Sequence, residues 1–501
     1  MNIQALSEDT LGKISEALLA AMGEGLRKTI DTTTGLTGYL LEAPAKQLVP
    51  LLSPFRQYVP RKVMEGGTAV NWKAITAVTP GYPFVAESNP APNIASTVSP
   101  KSANFKILGQ GGKVTREAIA ASQGFDPALS KETTNVLLAG MMQESRMMMF
   151  GVTTALGTPA APTVALATTA GSLNPSSTTY FARIVALSFQ AAASVTINTP
   201  AAVNGNGECT LAGVAGAALP GAGAASTGVT NISAEGNTGS QTGSNKAVKV
   251  SWTPLPGAYA YAVFVGTTTG AANLKLEAIV TTTAIVLTSL NGTGVAGNDA
   301  SVPATDSSGD TKAYDGIFRQ LDSTVSGYFK NLVAGLSQAS AEITAIQDAF
   351  AQIYETTKLT RFRVIVSAKD ARKISSLSVA AGGGPTIFVD PTNTVSRGNL
   401  LQGYHVGSIM NAVSGDVCPI DVEPWLPQGT ILIFPTQIWY PDANVSSVFD
   451  WVGAYDWSRF DYAMTQAAGN ARVFPFENTC YGALRVLYPG GCGVITGILP
   501  G

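Results

Sequence analysis

Apolar residues along this chain follow three different rhythms, and the changes of rhythm divide it. Near the start Leu11, Ile14, Leu18 and Met22 recur at helical spacing, with Ser7 placed as an N-cap and Glu8 and Asp9 in the first turn. That pattern predicts an amphipathic helix. From Thr32 the helical period stops, and Pro44, Pro50, Pro54 and Pro60 punctuate a stretch that still carries Leu40, Leu41, Leu48, Val49, Leu51, Leu52 and Phe55. Proline bars both a helix interior and a central strand. Residues 1–60 are therefore expected to be a helix followed by an extended arm lying across another surface. Two β-type runs follow, 68–78 and 103–115, around a tip carrying Pro80, Pro83, Pro90, Pro92 and Pro100. They predict a hairpin-like excursion over 61–115. A lone two-stranded ribbon is marginal in water, so it needs support, and an identical neighbour supplies it most simply.

The helical period returns in "GFDPALSKETTNVLLAGMMQESRMMMFG", with Asp126 as N-cap, Pro127 at the first helical position and Gly151 as the stop. Such a helix runs roughly 37 Å. Its methionines, Met141, Met142, Met147, Met148 and Met149, follow the helix face with no His or Cys beside them, which reads as packing rather than a cofactor site. Later, "KAYDGIFRQL" and 340–359 read as helices. "RFRVIVSAKDARKISSL" reads as a buried strand, a Ser367 cap and a short helix, and the tail alternates strands and loops. The host, 116–157 with 307–501, is expected to be mixed α+β.

Between these two parts the pattern becomes purely β. Val248, Val250 and Trp252 alternate, as do Tyr259, Tyr261, Val263 and Val265, between Gly/Pro/Asn turns. Charge falls at the same place. Of 31 basic and 33 acidic residues only nine lie between Gly157 and Asp306: Arg183, Glu208, Glu235, Lys246, Lys249, Lys275, Glu277, Asp299 and Asp306. The block 158–306 resembles a fibronectin type III or immunoglobulin-like β-sandwich inserted into the host. Insertions survive where the two ends lie close together, so Gly157 and Asp306 are expected to be neighbours.

Only 13% of the residues are charged, and the formal net charge is −2. A chain so weakly charged suits a large assembly, and no bulk attraction to nucleic acid or anionic lipid is expected. Cys209, Cys418, Cys480 and Cys492 have no metal-ligand spacing and read as free thiols of a reducing interior. The N-terminus carries neither a secretion-signal pattern nor an apolar run long enough for a membrane span; synthesis in a cytoplasm is expected. Enzyme readings find little. One histidine, His405, would have to serve any Ser–His–Asp site, and no Gly-x-Ser-x-Gly elbow exists. "GQGGKVT" lacks phosphate-loop spacing, and Asp416, Asp421 and Glu423 read as solvated loop carboxylates rather than a cation site. No catalytic residue, cofactor or metal is expected.

The order of the parts resembles one family, the major capsid proteins of tailed double-stranded DNA bacteriophages with the Hong Kong 97-type fold. The matching stretches are "LLSPFRQYVP", "MEGGTAVNWKAIT" with "KILGQGGKVTREA", "ESRMMMFG", "AYDGIF", "VIVSAKDARKISSL", "EPWLPQGT" and "YGALRVLYP". They cover about 36–156 and 307–500. The resemblance implies an N-arm, an E-loop, a spine helix, an A-domain and a P-domain. It also implies self-assembly into hexamers and pentamers of an icosahedral shell around the viral genome, with the sandwich outside. Portal, scaffolding or decoration proteins would be partners, DNA would be touched non-specifically at most, and no membrane would be involved. The location would be the virion, assembled in the host cytoplasm. With about 30 residues before the arm, no large N-terminal cleavage is expected, and no cross-linking lysine is carried over. An encapsulin-like cargo shell and a surface adhesin or carbohydrate-binding protein built on the fibronectin-like module are the alternatives. The residues expected at intersubunit contacts are Phe55, Arg56, Arg61, Lys62, Glu65, Trp72 and Glu117. Apolar burial should outweigh exposed ion pairs there, which are worth ~0–1 kcal/mol each.

Overall fold

The computed structural model describes residues 55–64, 66–79, 95–122, 127–220, 228–339, 342–381, 388–389, 400–401, 406–438, 447–462 and 473–500, with positions 84, 85, 87, 90, 93 and 445. The helix expected over 7–22, the arm up to residue 54, Glu65, Asp126 and His405 lie outside the described residues. In chain order, β1 (Arg61–Val63), β2 (Ala69–Thr79), β3 (Ala95–Asn104) and β4 (Lys106–Thr115) precede α1 (Arg116–Ala121) and the long α2 (Ala128–Phe150). Then come β5 (Thr163–Leu166), β6 (Ser176–Leu187), the one-turn α3 (Phe189–Ala192), β7 (Thr210–Ala212), β8 (Gly236–Thr242), β9 (Val248–Ser251), β10 (Ala260–Gly266), β11 (Lys275–Val280) and β12 (Ala284–Ser289). The chain continues through α4 (Ile317–Gln320), β13 (Tyr328–Gly335), β14 (Gln338–Ala339), β15 (Glu342–Ile343), α5 (Thr344–Thr357), β16 (Phe362–Val366) and α6 (Ala368–Ala381). It closes with β17 (Phe388–Val389), β18 (Leu400–Leu401), β19 (Ser408–Met410), β20 (Val417–Val422), β21 (Ile431–Pro435), β22 (Phe449–Asp461), β23 (Val473–Val486) and β24 (Gly493–Leu499). The class is α+β. Val114–Lys131, with α1 capped by the Thr115 hydroxyl accepting from the Ala118 amide, belongs to a compact unit separate from Leu51–Lys113 and Glu132–Gly501.

The centre of the larger unit is a six-stranded sheet ordered β13-β24-β21-β16-β20-β19. Its inner strands are apolar on both faces, and the period of two sorts them into two cores. Phe362, Val364, Val366, Ile431, Ile433 and Ile495 face α5 and α6, where Phe350 stacks on Phe362 at 5.1 Å. Ile365, Leu432, Phe434 and Val494 face the other way, onto Met148 and Met149 of α2, Phe318 of α4, and Phe449 and Trp451 of β22. Met148 and Met149 are thus core material, with Met147 packed partly buried against them. Ser367 caps α6 as expected, its hydroxyl accepting from the Asp370 amide at 3.2 Å.

A second host sheet, β1-β22-β23-β4, lies beside this core. Here the structure corrects the expected hairpin. The run 103–115 is β4 for most of its length and belongs to this sheet, whereas the partner of β2 is β3, from Ala69↔Asn104 to Thr79↔Ala95. The β3 sequence, Ser/Thr/Lys-rich with Pro100, reads as a tip because nothing apolar marks it. An edge strand with both faces in solvent needs no apolar period and tolerates proline. The glycines of "GQGGKVT" serve close approach: a Cβ on Gly109 would stand 2.5 Å from Thr479 Cγ2, and one on Gly112 would stand 2.7 Å from Phe476 Cζ, both on β23. "KAYDGIFRQL" yields only the single turn α4.

Two four-stranded sheets, β11-β10-β6-β8 and β5-β9-β12-β7, arise wholly from residues 163–289. They share a core of Val164, Ile184, Val248, Val250, Tyr261, Val263 and Ile285 among others. Their order is not that of an immunoglobulin sandwich, in which the first two strands pair in one sheet; here β5 and β6 lie in different sheets. Alternating side chains reveal faces but not pairing partners, so the likeness is one of layers. The ends of the block meet: the Gly157 amide donates to Asp306 Oδ2 at 2.7 Å and the Leu156 amide to Ser308 Oγ at 2.7 Å. The block also bonds to other parts of the chain. Asn331 of β13 donates to the Trp252 carbonyl at 3.1 Å, and the Thr281 hydroxyl donates to the Gln428 carbonyl at 2.9 Å.

Gly151 ends α2 because of crowding: a Cβ there would stand 2.3 Å from the Tyr314 carbonyl oxygen. Gly151→Ala should destabilise the fold by about 1–3 kcal/mol or more, read by chemical denaturation.

Candidate functional site

The segment leading into the β2–β3 ribbon is fastened by a buried carboxylate. Glu144 lies on α2 four residues before Met148 and is fully buried. Burying a carboxylate is tolerable only with full hydrogen bonding and counter-charge, and Glu144 has both. Its Oε2 accepts from Arg56 Nε at 2.8 Å and from Trp457 Nε1 at 2.8 Å; its Oε1 accepts from Arg61 Nη1 at 2.7 Å. Arg61 also grips Asp456 with Nε (2.8 Å) and Nη2 (2.5 Å), and its guanidinium lies 3.9 Å from the centroid of Trp451. Burial works against ionisation of Asp456, but the hydrogen bonds and charge of Arg61 outweigh it and hold the carboxyl below its usual range.

Earlier on the same strand, β22, Asp450 is buried between Arg485 (2.6 and 2.8 Å) and Lys62 (3.1 Å). Backbone bonds complete the fastening. β1 runs parallel to β22 from Arg61↔Trp451 to Val63↔Gly453, the Pro60 carbonyl accepts from the Trp451 amide, and Met64 donates to the Gly453 carbonyl. Three of the cations expected at a subunit rim, Arg56, Arg61 and Lys62, therefore bind acids of their own chain. Phe55 is wholly buried against Phe449, ring centroids 6.4 Å apart. Glu117 sits exposed in the first turn of α1.

Beyond this root the ribbon emerges. Val70, half-buried Trp72 and Ala103 pack on Phe105, Val452, Ala454 and Tyr481, and the Arg485 guanidinium lies 5.4 Å from the Trp72 ring. After Trp72 the cluster shared with the body ends among the described residues. Among the described residues β2 and β3 pair only with each other, over roughly 35 Å for an 11-residue strand. Ile75 and Val98, directly opposed across the ladder and so on one face, are 68% and 50% exposed. A second such pair stands on the free edge of the six-stranded sheet: Met410 of β19 and Val417 of β20, opposed in register, are 64% and 67% exposed. Neither pair was singled out by the sequence, because exposure is a property of the neighbours a residue lacks. Glu144 carried a signal, an acid on an apolar helix face among methionines.

The three acids weighed as a cation site are separately engaged: Asp416 with Arg361 (3.2 Å), Asp421 with Arg363 (2.5 Å), and buried Glu423 accepting from the amides of Trp425 and Phe55. Burial pushes the Glu423 carboxyl up to about 7.

The chain is similar to the capsid of a native GTA particle at 8% identity, over 94% of this chain and 98% of that one, with a TM-score of 0.41. It is similar to the capsid protein of cyanophage A-1(L) at 10% identity, over 93% and 98%, with a TM-score of 0.42. It is also similar to the holo-SrpI encapsulin of Synechococcus elongatus PCC 7942 at 6% identity, over 91% and 92%, with a TM-score of 0.36. No family model and no curated protein matches the sequence.

Glu144→Gln should cost about 3–5 kcal/mol in chemical denaturation, since it leaves two buried cations short of charge. Glu423 has the opposite sense of linkage. Its raised value means the folded subunit holds the proton more tightly, so its contribution is full below the ordinary value of 4.5 and lost as pH rises through about 7. Relative to wild type, Glu423→Gln should gain stability across that window, on the order of 3 kcal/mol by pH 8, read from denaturation midpoints at stepped pH.

Proposed function

We propose that this chain is the major capsid protein of a tailed double-stranded DNA bacteriophage, of the Hong Kong 97 type, whose copies assemble into the icosahedral head shell. The observation that carries this reading is the ribbon. A two-stranded projection is at best marginal in water, yet here its root is held by a buried charge cluster while its outer face presents an apolar pair. Such an element is completed by another surface, and in a homo-oligomer that surface is on a copy of the same chain. Fully burying an aliphatic side chain is worth ~1.5–3 kcal/mol, and head-to-tail repetition of such contacts closes rings, six- and five-fold in this reading. The face around Met410 and Val417 is a second contact of the same kind. Trp72, at the last supported turn of the ribbon, transmits the anchoring to it.

In this proposal the role is assembly rather than chemistry, the location is the virion, and the block 158–306 is an inserted module displayed on the outer face. The paired ends at Gly157 and Asp306 support the insertion, since the host chain closes without it.

Wild-type chain should form hollow particles by negative-stain microscopy. The double variant Ile75→Lys with Val98→Lys should remain folded, with an unchanged near-ultraviolet dichroism spectrum, and fail to form them. Trp72→Ala should lower particle yield less severely. Undiminished shells from the double variant would remove the ribbon from the contacts, and wild-type monomers at every concentration would end the proposal.

A further inference from the structure

On the side of α2 away from Glu144 lies a cavity of about 330 Å³, walled by α2, by the start of α3 and by the segment returning from the sandwich sheets. We propose that it binds a small organic monocarboxylate carrying an apolar body. Arg146 supplies the reason. Its guanidinium lies 3.7 Å from the centroid of Trp425 and 5.7 Å from that of Phe189, so aromatic rings cover it. Its Nε is buried without a hydrogen-bond partner, and among the described residues no carboxylate pairs with it. Beside it the Ser188 hydroxyl, on a residue 4% exposed, is likewise buried without a partner and lines the same cavity. A guanidinium faced by two aromatic rings and a hydroxyl without a hydrogen-bond partner among the described residues, both on residues that line one cavity, are an unmet demand for an acceptor.

The walls choose the ligand. A guanidinium stacked on rings still offers its N–H edge, which suits a planar carboxylate. Met147, Phe150 and Phe189 supply apolar wall, and the volume is within the range of small-ligand sites, roughly 300–1,000 Å³. Asp310 also lines the cavity, its Oδ1 accepting from the Lys312 amide at 2.9 Å. Its charge opposes a second negative charge on the ligand, which favours a monoanion over phosphate.

The test is equilibrium dialysis of the full chain with phenylacetate, its neutral isostere phenylacetamide, and inorganic phosphate as competitor. Phenylacetate should bind saturably at one site per chain, roughly tenfold or more tighter than phenylacetamide, because the hydrogen bonds are charge-assisted. Arg146→Gln should abolish that preference. Asp310→Asn, a change at the cavity wall, should tighten phenylacetate several-fold. Equal binding of phenylacetate and phenylacetamide, displacement by phosphate at lower concentration than phenylacetate, no saturable binding, or an Asp310→Asn variant with unaltered affinity would each overturn the assignment. The site lies within one subunit, so its outcome is independent of whether shells form.

Discussion

The buried carboxylate of Glu144 is the constraint on which the rest of the structure turns. It joins a helix, a parallel strand and an antiparallel sheet at one point, through Arg56, Arg61 and Trp457. Two arginines converging on one carboxylate would be a poor bargain at a surface, where ion pairs contribute little. Inside, neither charge can be left alone without a large penalty, so the arrangement is all or none. That property makes a root. Residues 55–64 cannot slide along β22 without stranding a charge, and the direction in which β2 leaves the body is set with them.

The same helix shows how a single element divides labour around its circumference. Met148 and Met149 fill the core under the six-stranded sheet, Glu144 faces β22 and β23, and Arg146 stacks between Trp425 and Phe189. Residues two apart on a helix point in different directions, so one acid and one base nearly adjacent in sequence belong to separate environments, one saturated with hydrogen bonds and one stacked on rings with no acid beside it among the described residues. Phe150 continues the seam, stacking on Phe318 at 4.9 Å and meeting Tyr259 edge-on at 5.0 Å. The two four-stranded sheets are thereby packed against α2 and α4.

Apolar residues scattered singly over a surface need no explanation, but Ile75 opposite Val98 and Met410 opposite Val417 are cross-strand pairs on elements that the body does not cover. The ribbon combines a root fixed by buried charge with an outer apolar pair that no described residue covers.

Sequence alone determined what depends on local periodicity and composition. The long helix up to Gly151, the buried strand with its Ser367 cap, the charge-poor β block and the meeting of its ends were all legible, because helix and strand periods and the scarcity of charge are written residue by residue. Tertiary structure decided everything that depends on which surfaces meet. It set β3 rather than 103–115 as the partner of β2, since a strand exposed on both faces has no apolar signature. It gave the sandwich sheets an order that alternation cannot specify. It turned Arg56 and Arg61 to acids lying 83 to 395 positions away, and gave exposed Lys62 the buried Asp450 as partner. A charged side chain reads the same whether it will face water, an acid of its own chain or another subunit; only the dielectric and the partner around it make the difference, and those exist only after folding.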